Sequence, residues 1–423
     1  MKVFKFGGAS VRDADSVRNV ANILRRYSGE ELLVVISAMG KTTNKLELLV
    51  KAFLKESDER FDILKEVKDF HENITQTLIG ESSNRFYEVD NLFIELECLI
   101  EAKPEQKDYD VVYDQVVSFG ELISTRIISH FLNLEGIVNR WVDARNFIMT
   151  DSHHRRAFVK WEMTNDLVSK KLKPLVRRQL VVTQGFIARS ENQQTTTLGR
   201  EGSDYSASIF AYGLNADSVT IWKDVEGVMN ADPKRMPDAV FLPEVSFLEA
   251  IELAYYGATV IHPKTIQPIR SRNIPLYVKS FVNPEKTGTV ISNHHQDKVI
   301  TKPCYIFKEN QVMVSLSSKD FSFIIEDNLS HIFAVLAACN IQLNLMQNSA
   351  ISFSFCANFE EQQIANLIEK LGKEYLIETR DQLELITIFN YQSEARALEK
   401  IVGSREVILE QLTAAVIQVV VPV

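Results

Sequence analysis

The segment "VFKFGGASVRDADSVRNVANILRRYSGEELLVVISA", residues 3–38, decides the fold class. Its first residues predict a short strand that runs into Gly7 and Gly8. Ser10, with Asp13 three residues later, predicts a capping box at the start of a helix. Apolar residues then recur at helical spacing, and "LLVVISA" follows as a buried strand. This strand-helix-strand order predicts a parallel sheet with helices packed on it, and ligands bind at the carboxyl ends of such strands.

The second strand continues into "SAMGKTTN", residues 37–44, whose Gly-Lys-Thr is also found at the end of a nucleotide-binding P-loop. A P-loop needs a first glycine five positions before the second one, and that position is Val35 here. The P-loop is therefore excluded. Small and hydroxyl residues between a strand and a helix still suit an anion site.

Length and composition limit the classes of protein to which the chain can belong. A chain of 423 residues has room for about two or three domains, and 45% apolar with 24% charged residues is typical of a globular protein. The net charge of −9 disfavours a general affinity for nucleic acid or anionic membrane. The four cysteines lack Cys-x-x-Cys spacing and are predicted to be core residues. Because no apolar stretch approaches the roughly 20 residues of a membrane span, and no leader precedes the first strand, we expect a cytoplasmic protein.

The remaining pattern predicts two regions. Residues from about 44 to 134 are mostly helical, and strands resume before a polar loop at residues 189–207. The stretch 280–300 has the composition of a domain boundary, and a compact βαββαβ unit follows it. We predict a catalytic domain over residues 1–295 and a regulatory region over 300–423. Its first module spans about 312–388, and a second, shortened module combines 300–310 with 385–423.

Two segments carry groups suited to binding anions. Lys5 lies on a strand that ends in a pair of glycines, where a phosphate could contact the backbone, although a plain turn with a solvated lysine is the alternative. In "TTTLGREGSDYSA", Arg200, Ser203 and Asp204 fall within five residues at a helix start. Arginine can bind a carboxylate through two hydrogen bonds, whereas the alternative is a surface arginine beside an N-cap residue. These segments alone leave both alternatives open.

Seven segments together resemble the aspartate kinases of the amino acid kinase family. They occur in the family's order and spacing: "KFGGASV", "VVISAMGKTTN", "SFGELIST", "VTQGFIA", "TTTLGREGSDYSA", "DVEGVMNADPK" and "YYGATVIHPKT". The resemblance implies a three-layer α/β/α sandwich with a mainly parallel sheet, followed by two α+β ACT regulatory modules. It also implies transfer of the ATP γ-phosphoryl group to the side-chain carboxylate of L-aspartate. The product would be 4-phospho-L-aspartate, the first intermediate towards lysine, threonine and methionine.

The resemblance implies a role for each site residue. A carboxylate acceptor is already ionised at neutral pH, so positioning and charge neutralisation would carry the reaction. Lys5 would neutralise developing charge, and Asp204 would orient Lys5 or contact the substrate ammonium. Arg200 would pair with the α-carboxylate of aspartate and Glu121 with its ammonium. Phosphate contacts are expected from Gly7, Gly8, Ser10 and Ser37, further substrate contacts from Thr43, Phe186 and Ser203, and nucleotide contacts from Lys223, Asp224, Met229, Asp232 and Lys234.

The same resemblance implies partners. ATP would bind with one or two Mg²⁺ ions that bridge its phosphates, and no protein metal ligand is expected. ACT modules commonly pair edge to edge, so a homodimer is expected, with a possible amino-acid effector at the ACT region. Lysine-sensitive members have acidic residues where this chain has Asn344 and Ala350, and their absence argues against lysine as that effector.

Several positions depart from the family pattern. The family usually has Thr at the positions of Ala9 and Lys223, Tyr at that of Met229, Arg at that of Lys234, and often Lys or Gln at that of Thr259. These positions border the expected sites, so we predict altered nucleotide affinity with activity retained.

The remaining histidine motifs and the alternating phenylalanines are expected to have structural or surface roles. The pairs His153/His154 and His294/His295 lie in polar connectors and are predicted to be surface residues. His262 is predicted to form a structural hydrogen bond. The alternating phenylalanines at positions 321, 323, 353 and 355 are predicted to be strand core.

The rival function is a catalytically silent amino-acid sensor of the same fold. The presence of Lys5, Glu121, Arg200 and Asp204 argues against it.

Overall fold

The computed structural model describes residues 1–80, 87–103, 108–258, 261–293, 300, 302–391 and 397–423. Thr259 and the His294/His295 pair lie outside these residues. The chain divides into two compact units: the first contains residues 1–228, 242–250 and 261–296, and the second contains residues 229–241, 251–260 and 297–423. The units differ from the predicted domains because segments 229–241 and 251–260 count with the second unit.

The strands that precede the C-terminal region form one large sheet and two small ones. They are β1 (Lys2–Phe6), β2 (Leu32–Ile36), β3 (Asn139–Trp141), β4 (Met149–Thr150), β5 (Leu180–Gln184), β6 (Ile187–Ser190), β7 (Thr195–Thr197), β8 (Ser218–Lys223), β9 (Val228–Met229), β10 (Phe241–Leu242), β11 (Glu244–Ser246), β12 (Leu276–Ser280) and β13 (Thr289–Ser292). The large sheet has the order β11-β13-β12-β8-β1-β2-β5-β3, and only the β12/β13 pair is antiparallel. The small sheets are β4-β6-β7 and β10-β9.

In the described residues, ten α-helices accompany these strands. They are α1 (Ala14–Arg25), α2 (Thr42–Leu54), α3 (Glu59–Ile79), α4 (Tyr87–Glu101), α5 (Tyr109–Leu134), α6 (Trp161–Leu167), α7 (Lys173–Val176), α8 (Gly202–Leu214), α9 (Phe247–Tyr256) and α10 (Pro263–Ser271). Strand β2, "LLVVI", is buried along its whole length, as expected of a central parallel strand. The predicted α/β/α fold class with a mainly parallel sheet is confirmed.

The first helix begins later than the predicted capping box. Asp13 is its N-cap residue, and its carboxylate accepts a hydrogen bond from Ser16 N at 2.8 Å. Ser10 belongs to a single 3₁₀ turn, residues 8–11, that precedes the helix. The capping box at Ser10 was therefore wrong, because the second glycine of the pair opens this tighter turn before α1 can start.

The second unit is built on one antiparallel sheet of six strands. Its elements are β14 (Cys304–Ser318), α11 (Glu326–Ala338), β15 (Leu343–Asn348), β16 (Ser352–Asn358), α12 (Glu361–Leu371), β17 (Tyr375–Phe389), α13 (Ala397–Val402), β18 (Leu409–Leu412) and β19 (Val416–Pro422). The strand order is β15-β16-β14-β17-β19-β18. Helices α11 and α12 pack over one part of this sheet with a shared apolar core. This is the βαββαβ pattern predicted for the first module.

The other part of the sheet is covered differently. Strands β17 and β19 supply buried apolar residues there, and α13 is the described helix that packs on them. Met236 and Ala239, from segment 229–241, pack against the same cluster. This segment therefore covers part of the apolar surface of β17 and β19, in agreement with its place in the second unit.

Two predictions about apolar residues need correction. Phe353 and Phe355 are buried on β16 as predicted, but Phe321 and Phe323 are 80% and 71% exposed, because β14 ends at Ser318 and both lie in the connection to α11. Cys98 is exposed on α4, whereas the other three cysteines are buried. Among the described helices, none combines the length and apolar character that a bilayer crossing requires.

Candidate active site

A buried ion pair joins β1 to the start of α8. Lys5 lies one residue before the end of β1, and its Nζ is 2.5 Å from Asp204 Oδ1 in the first turn of the helix. Both side chains are buried. Burial raises the pKa of the Asp204 carboxyl, but the ammonium groups of Lys5 and Lys223 outweigh this effect and hold the pKa below its usual value. Asp204 is therefore a buried anion held by cations.

Lys223 contributes the second cation. It ends β8, the neighbour of β1 in the sheet, and its Nζ is 3.8 Å from Asp204 Oδ2. The sequence placed Lys223 among the nucleotide-binding residues, and the structure places its ammonium beside the partner of Lys5. Two lysines and one carboxylate leave a net positive charge at this point.

The two glycines after β1 allow two loops to lie in contact. A Cβ on Gly8 would be 2.8 Å from the carbonyl oxygen of Gly40 and 3.0 Å from that of Ala38. Gly40 N also donates to the Gly8 carbonyl at 3.1 Å. A Cβ on Gly7 would be 3.3 Å from Lys5 Nζ. Glycine is required at position 8 by this close approach, which brings "FGG" and "SAMG" together.

The two serines predicted at the phosphate site differ in their surroundings. The Ser10 hydroxyl is buried and donates to the Trp222 carbonyl at 3.3 Å, so it ties the 3₁₀ turn to β8. Ser37 is half-buried, its N–H donates to the Phe6 carbonyl, and its carbonyl accepts from Ser124 Oγ at 2.7 Å. The backbone of Ser37 is thus fixed at the carboxyl end of β2, where a ligand is expected.

Glu121 is a desolvated carboxyl on α5. It is 2% exposed, its Oε1 accepts a bond from Ala38 N at 3.4 Å, and its Oε2 has no hydrogen-bond partner among the described residues. Burial raises its pKa to about 8, against the opposing effects of the Ala38 N–H and of the positive charge of Lys5. A carboxyl in such surroundings is ready to receive a cation.

A hydrogen-bonded chain holds this part of α5 in place. Thr125 Oγ1 donates to the Glu121 carbonyl at 2.8 Å and accepts from Gln184 Nε2 at 2.9 Å. Gln184 ends β5, and its Oε1 accepts from Ala144 N at 2.7 Å. The position of Glu121 is therefore tied to the carboxyl end of β5, which lies between β2 and β3 in the sheet.

The turn after β5 packs tightly on the start of α8. Phe186 is buried with a positive φ of 69°, and its N–H donates to Ser206 Oγ at 2.8 Å. A Cβ on Gly202 would be 2.6 Å from the Phe186 ring, and one on Gly185 would be 2.6 Å from Ser203 Cβ. Phe186 and Ser203, both predicted to contact substrate, thus lie on two segments that touch each other.

Arg200 lies on the exposed loop that leads into α8. In the described part of the chain no carboxylate forms an ion pair with its guanidinium, which leaves it available to a ligand carboxylate. Burial is the main cause that lowers the pKa of His262. The charge of Glu201 raises this pKa, and the charge of Arg200 lowers it. His262 Nδ1 accepts from Lys264 N at 3.1 Å and caps α10, the structural role that was predicted.

A second buried carboxylate, on the same helix as Glu121, was missed from the sequence. Asp114 Oδ1 accepts from Thr197 Oγ1 at 2.6 Å, and its Oδ2 lies 2.9 Å from His154 Nδ1 and accepts from Arg155 N at 3.0 Å. A Cβ on Gly199 would be 3.0 Å from the Arg155 carbonyl oxygen. Asp114 therefore fixes the two segments that border the Arg200 loop.

The environment of Asp114 also corrects one prediction. His153 is exposed as predicted, but the His154 side chain is buried against Asp114. The sequence signal that could have identified Asp114 was its spacing from Glu121. The two residues are seven positions apart and therefore share one face of α5.

The remaining predicted residues fall in both units. In the first unit, Thr43 is half-buried in the first turn of α2, and Asp224 is exposed just after β8. In the second unit, Met229 ends β9, and Asp232 Oδ1 accepts from Lys234 N at 2.9 Å in an exposed turn. The structure thus brings Lys5, Asp204 and Lys223 together. The positive charge of Lys5 also lowers the pKa of Glu121.

Comparisons with known proteins show to which family the chain is similar. The family model described as "Amino acid kinase family" matches residues 1–280. The lysine-sensitive aspartokinase 3 of Escherichia coli (strain K12) is 33% identical, over 83% of this chain and 76% of that protein. The chloroplastic aspartokinase 2 of Arabidopsis thaliana is 30% identical, over 94% of this chain and 76% of that protein.

Solved structures give the same result. E. coli aspartokinase III in complex with lysine and aspartate, in its T-state, superposes with a TM-score of 0.85 at 29% identity, covering 100% of this chain and 96% of that one. The R-state of the same enzyme, in complex with aspartate and ADP, gives a TM-score of 0.84 at 29% identity with the same coverage of both chains.

Proposed function

The chain belongs to the amino acid kinase family, as one of its aspartokinases, and from this membership we propose how its residues carry out the reaction. The chain transfers the γ-phosphoryl group of ATP to the side-chain carboxylate of L-aspartate. The observation that carries the proposal is the buried Lys5–Asp204 pair, in which the ammonium of Lys5 also acts on the desolvated carboxyl of Glu121.

Recognition of aspartate needs one cation and one anion. Arg200, which has no carboxylate partner in the described part of the chain, binds the α-carboxylate through its planar guanidinium. Glu121 pairs with the α-ammonium. The positive charge of this group compensates the buried carboxylate for the hydration that it loses on burial. Phe186 and Ser203 border the same space and limit its size. An acid without an α-amino group would leave Glu121 without a cation, so the pocket selects amino acids.

Transfer of the phosphoryl group needs positive charge where negative charge develops. Lys5, kept in one orientation by Asp204, donates to an oxygen of the transferring group, and the second cation at Asp204, Lys223, adds charge at the same point. The backbone N–H groups of Gly7 and Gly8 lie where no side chain blocks their approach to phosphate. The attacking group is already a carboxylate, so no residue has to remove a proton.

Nucleotide binding involves further residues. Asp224, exposed just after β8 in the first unit, contacts the nucleotide in this proposal, as the resemblance implies. Magnesium typically binds through phosphate oxygens and retained water, and an Mg²⁺ ion bound to the nucleotide would supply charge neutralisation at its phosphates. The oxygen-rich triphosphate suits this ion, and the two lysines at Asp204 make that carboxylate a poor metal ligand.

The second unit also supports a proposal about the quaternary structure. Strand β15 is an edge of the six-stranded sheet and carries the exposed Met346. The exposed Phe321 and Phe323 lie in the connection that precedes α11. An unpaired edge beside exposed aromatic residues favours association. We propose a homodimer through this face, which light scattering on the intact protein and on a Phe321→Asp/Phe323→Asp variant tests. A dimeric double variant would refute this interface.

Lysine is a weak effector in this proposal. Asn344 Oδ1 accepts a hydrogen bond from Lys308 Nζ at 2.9 Å. Ala350 is exposed, and its methyl side chain carries no charge. A free lysine molecule would find neither expected carboxylate at these positions.

The function is tested with ATP, Mg²⁺ and a panel of amino acids. ADP release and trapping of the acyl phosphate with hydroxylamine are measured in parallel. We expect hydroxamate with L-aspartate and much less with L-glutamate or L-asparagine, and weak inhibition by millimolar lysine. ADP release without hydroxamate, or equal rates with glutamate, would refute the assignment of the acceptor. The absence of any turnover would favour the silent sensor.

A further inference from the structure

A second pocket lies within the second unit and uses none of the residues assigned to the reaction. Its volume is about 400 Å³, which is room for a small organic molecule. Six polar residues from α9, β14, the connection to β15, β15 itself and β19 line it: Tyr255, Tyr256, Lys308, Gln342, Asn344 and Gln418. No carboxylate belongs to this described lining.

Among the described residues that line the pocket, Lys308 is the one with a charged side chain. Its Nζ lies 2.9 Å from Asn344 Oδ1. The orientation of that amide is fixed, because Asn344 Nδ2 donates to Gln311 Oε1 at 2.7 Å and to Asn358 Oδ1 at 3.0 Å. Lys308 therefore has a neutral oxygen as partner, and among the described residues no carboxylate pairs with it. Burial lowers its pKa, against the opposing effect of Cys356.

The position of Lys308 is built into the backbone. Gly257 follows α9 with a φ of +116°, and a Cβ there would overlap Lys308 Cε and lie 3.2 Å from Cγ. The aliphatic part of the lysine therefore lies directly against a glycine that no other residue can replace without displacing it. This close packing distinguishes Lys308 from a lysine that extends freely into water.

The other groups of the lining are neutral hydrogen-bonding groups. Burial, followed by the charges of Glu252 and Tyr255, raises the pKa of Tyr256, so its hydroxyl remains a donor. Gln342 adds an amide group, whereas the amide nitrogen of Asn344 already donates to Gln311 and Asn358. A carboxylate in this pocket gains the Lys308 ammonium, and an oxygen on its next carbon gains amide or phenol donors. A ligand ammonium in the same place finds no anion.

We propose that this pocket binds a small 2-oxo or 2-hydroxy carboxylate through Lys308. The ligand class differs from both substrates of the kinase reaction and from the α-amino acids. Its binding therefore does not depend on the proposed function of the first unit.

The test uses three probes that differ at one position. Pyruvate, L-lactate and L-alanine each carry one methyl group, so saturation-transfer difference NMR on the full chain follows all three in the same way. We expect saturable signals for pyruvate or lactate and a dissociation constant at least about tenfold weaker for alanine. The Lys308→Met variant, which keeps an unbranched apolar side chain against Gly257, should weaken binding of the acid at least about tenfold.

Two further variants complete the test. Lys370→Met removes an exposed lysine of α12 and should leave the dissociation constant unchanged. Gly257→Ala should weaken binding, because its Cβ displaces Lys308. Thermal melting verifies that each variant is folded. The proposal is overturned if neither pyruvate nor lactate binds saturably to the parent chain, if Lys308→Met binds as the parent does, or if alanine binds as tightly as the oxo acid.

Discussion

The desolvated carboxyl of Glu121 predicts a specific pH dependence for the use of aspartate. Its pKa is about 8 in the ligand-free protein, and only its ionised form can pair with the substrate ammonium. The value of kcat/KM for aspartate should therefore rise with pH, about tenfold per unit, and level off above about pH 8. At pH 6 about 1% of the carboxyl is ionised, so kcat/KM should be about 100-fold below its plateau, or about 2.7 kcal/mol.

The assay for this prediction is coupled ADP release, recorded from pH 6 to 9 with saturating ATP and limiting aspartate. Glu121→Gln keeps the shape of the side chain but cannot ionise, so its kcat/KM should be low and should lose this pH dependence. Glu95→Gln, at an exposed position of α4, is the matched control and should follow the parent profile. A flat parent profile between pH 6 and 8, or an unchanged slope in Glu121→Gln, would refute the proposed role of this carboxylate.

Three other substitutions test separate parts of the site. Arg200→Ala should raise KM for aspartate about 10- to 150-fold, with kcat changed far less, because it removes charge-assisted bonds to the substrate; an equal fall in kcat would contradict this division of roles. Gly8→Ala should lower the free energy of unfolding in urea by about 1–3 kcal/mol, because its Cβ meets the Gly40 carbonyl at 2.8 Å; unchanged stability would show that the two loops separate easily. Asp114→Asn should lower the melting temperature and raise KM for aspartate while kcat is largely kept, since it weakens the bonds that hold the segments beside the Arg200 loop; an unchanged KM would limit Asp114 to stability.

Local pattern was enough to predict the fold class, because it depends on strand and helix periodicity. The opening βαβ unit and the alternating strands of the second unit follow directly from apolar spacing. The same spacing could not show that segment 229–241 covers the shortened module, since that packing depends on contacts between residues far apart in sequence. The exposed Phe321 and Phe323 alternate as core residues do, and only the end of β14 at Ser318 separates them from the strand.

The candidate site was predictable to a different extent. Motifs named Lys5, Glu121 and Asp204, but no pattern gives the desolvation that raises the pKa of Glu121. The approach of Lys223 to Asp204 depends on the neighbouring positions of β1 and β8, which the chain order does not reveal. Buried polar partners such as Asp114 and His154 have no signature beyond helical spacing.

The central claim is that Lys5, oriented by Asp204, neutralises charge during phosphoryl transfer. Rapid-quench measurement of acyl phosphate in a single turnover tests it, with parent and Lys5→Ala compared at saturating ATP and aspartate. We predict a transfer rate about 100- to 1000-fold lower in the variant, with the dissociation constant of aspartate within about threefold of the parent value. A variant whose transfer rate stays within about threefold of the parent would contradict the account.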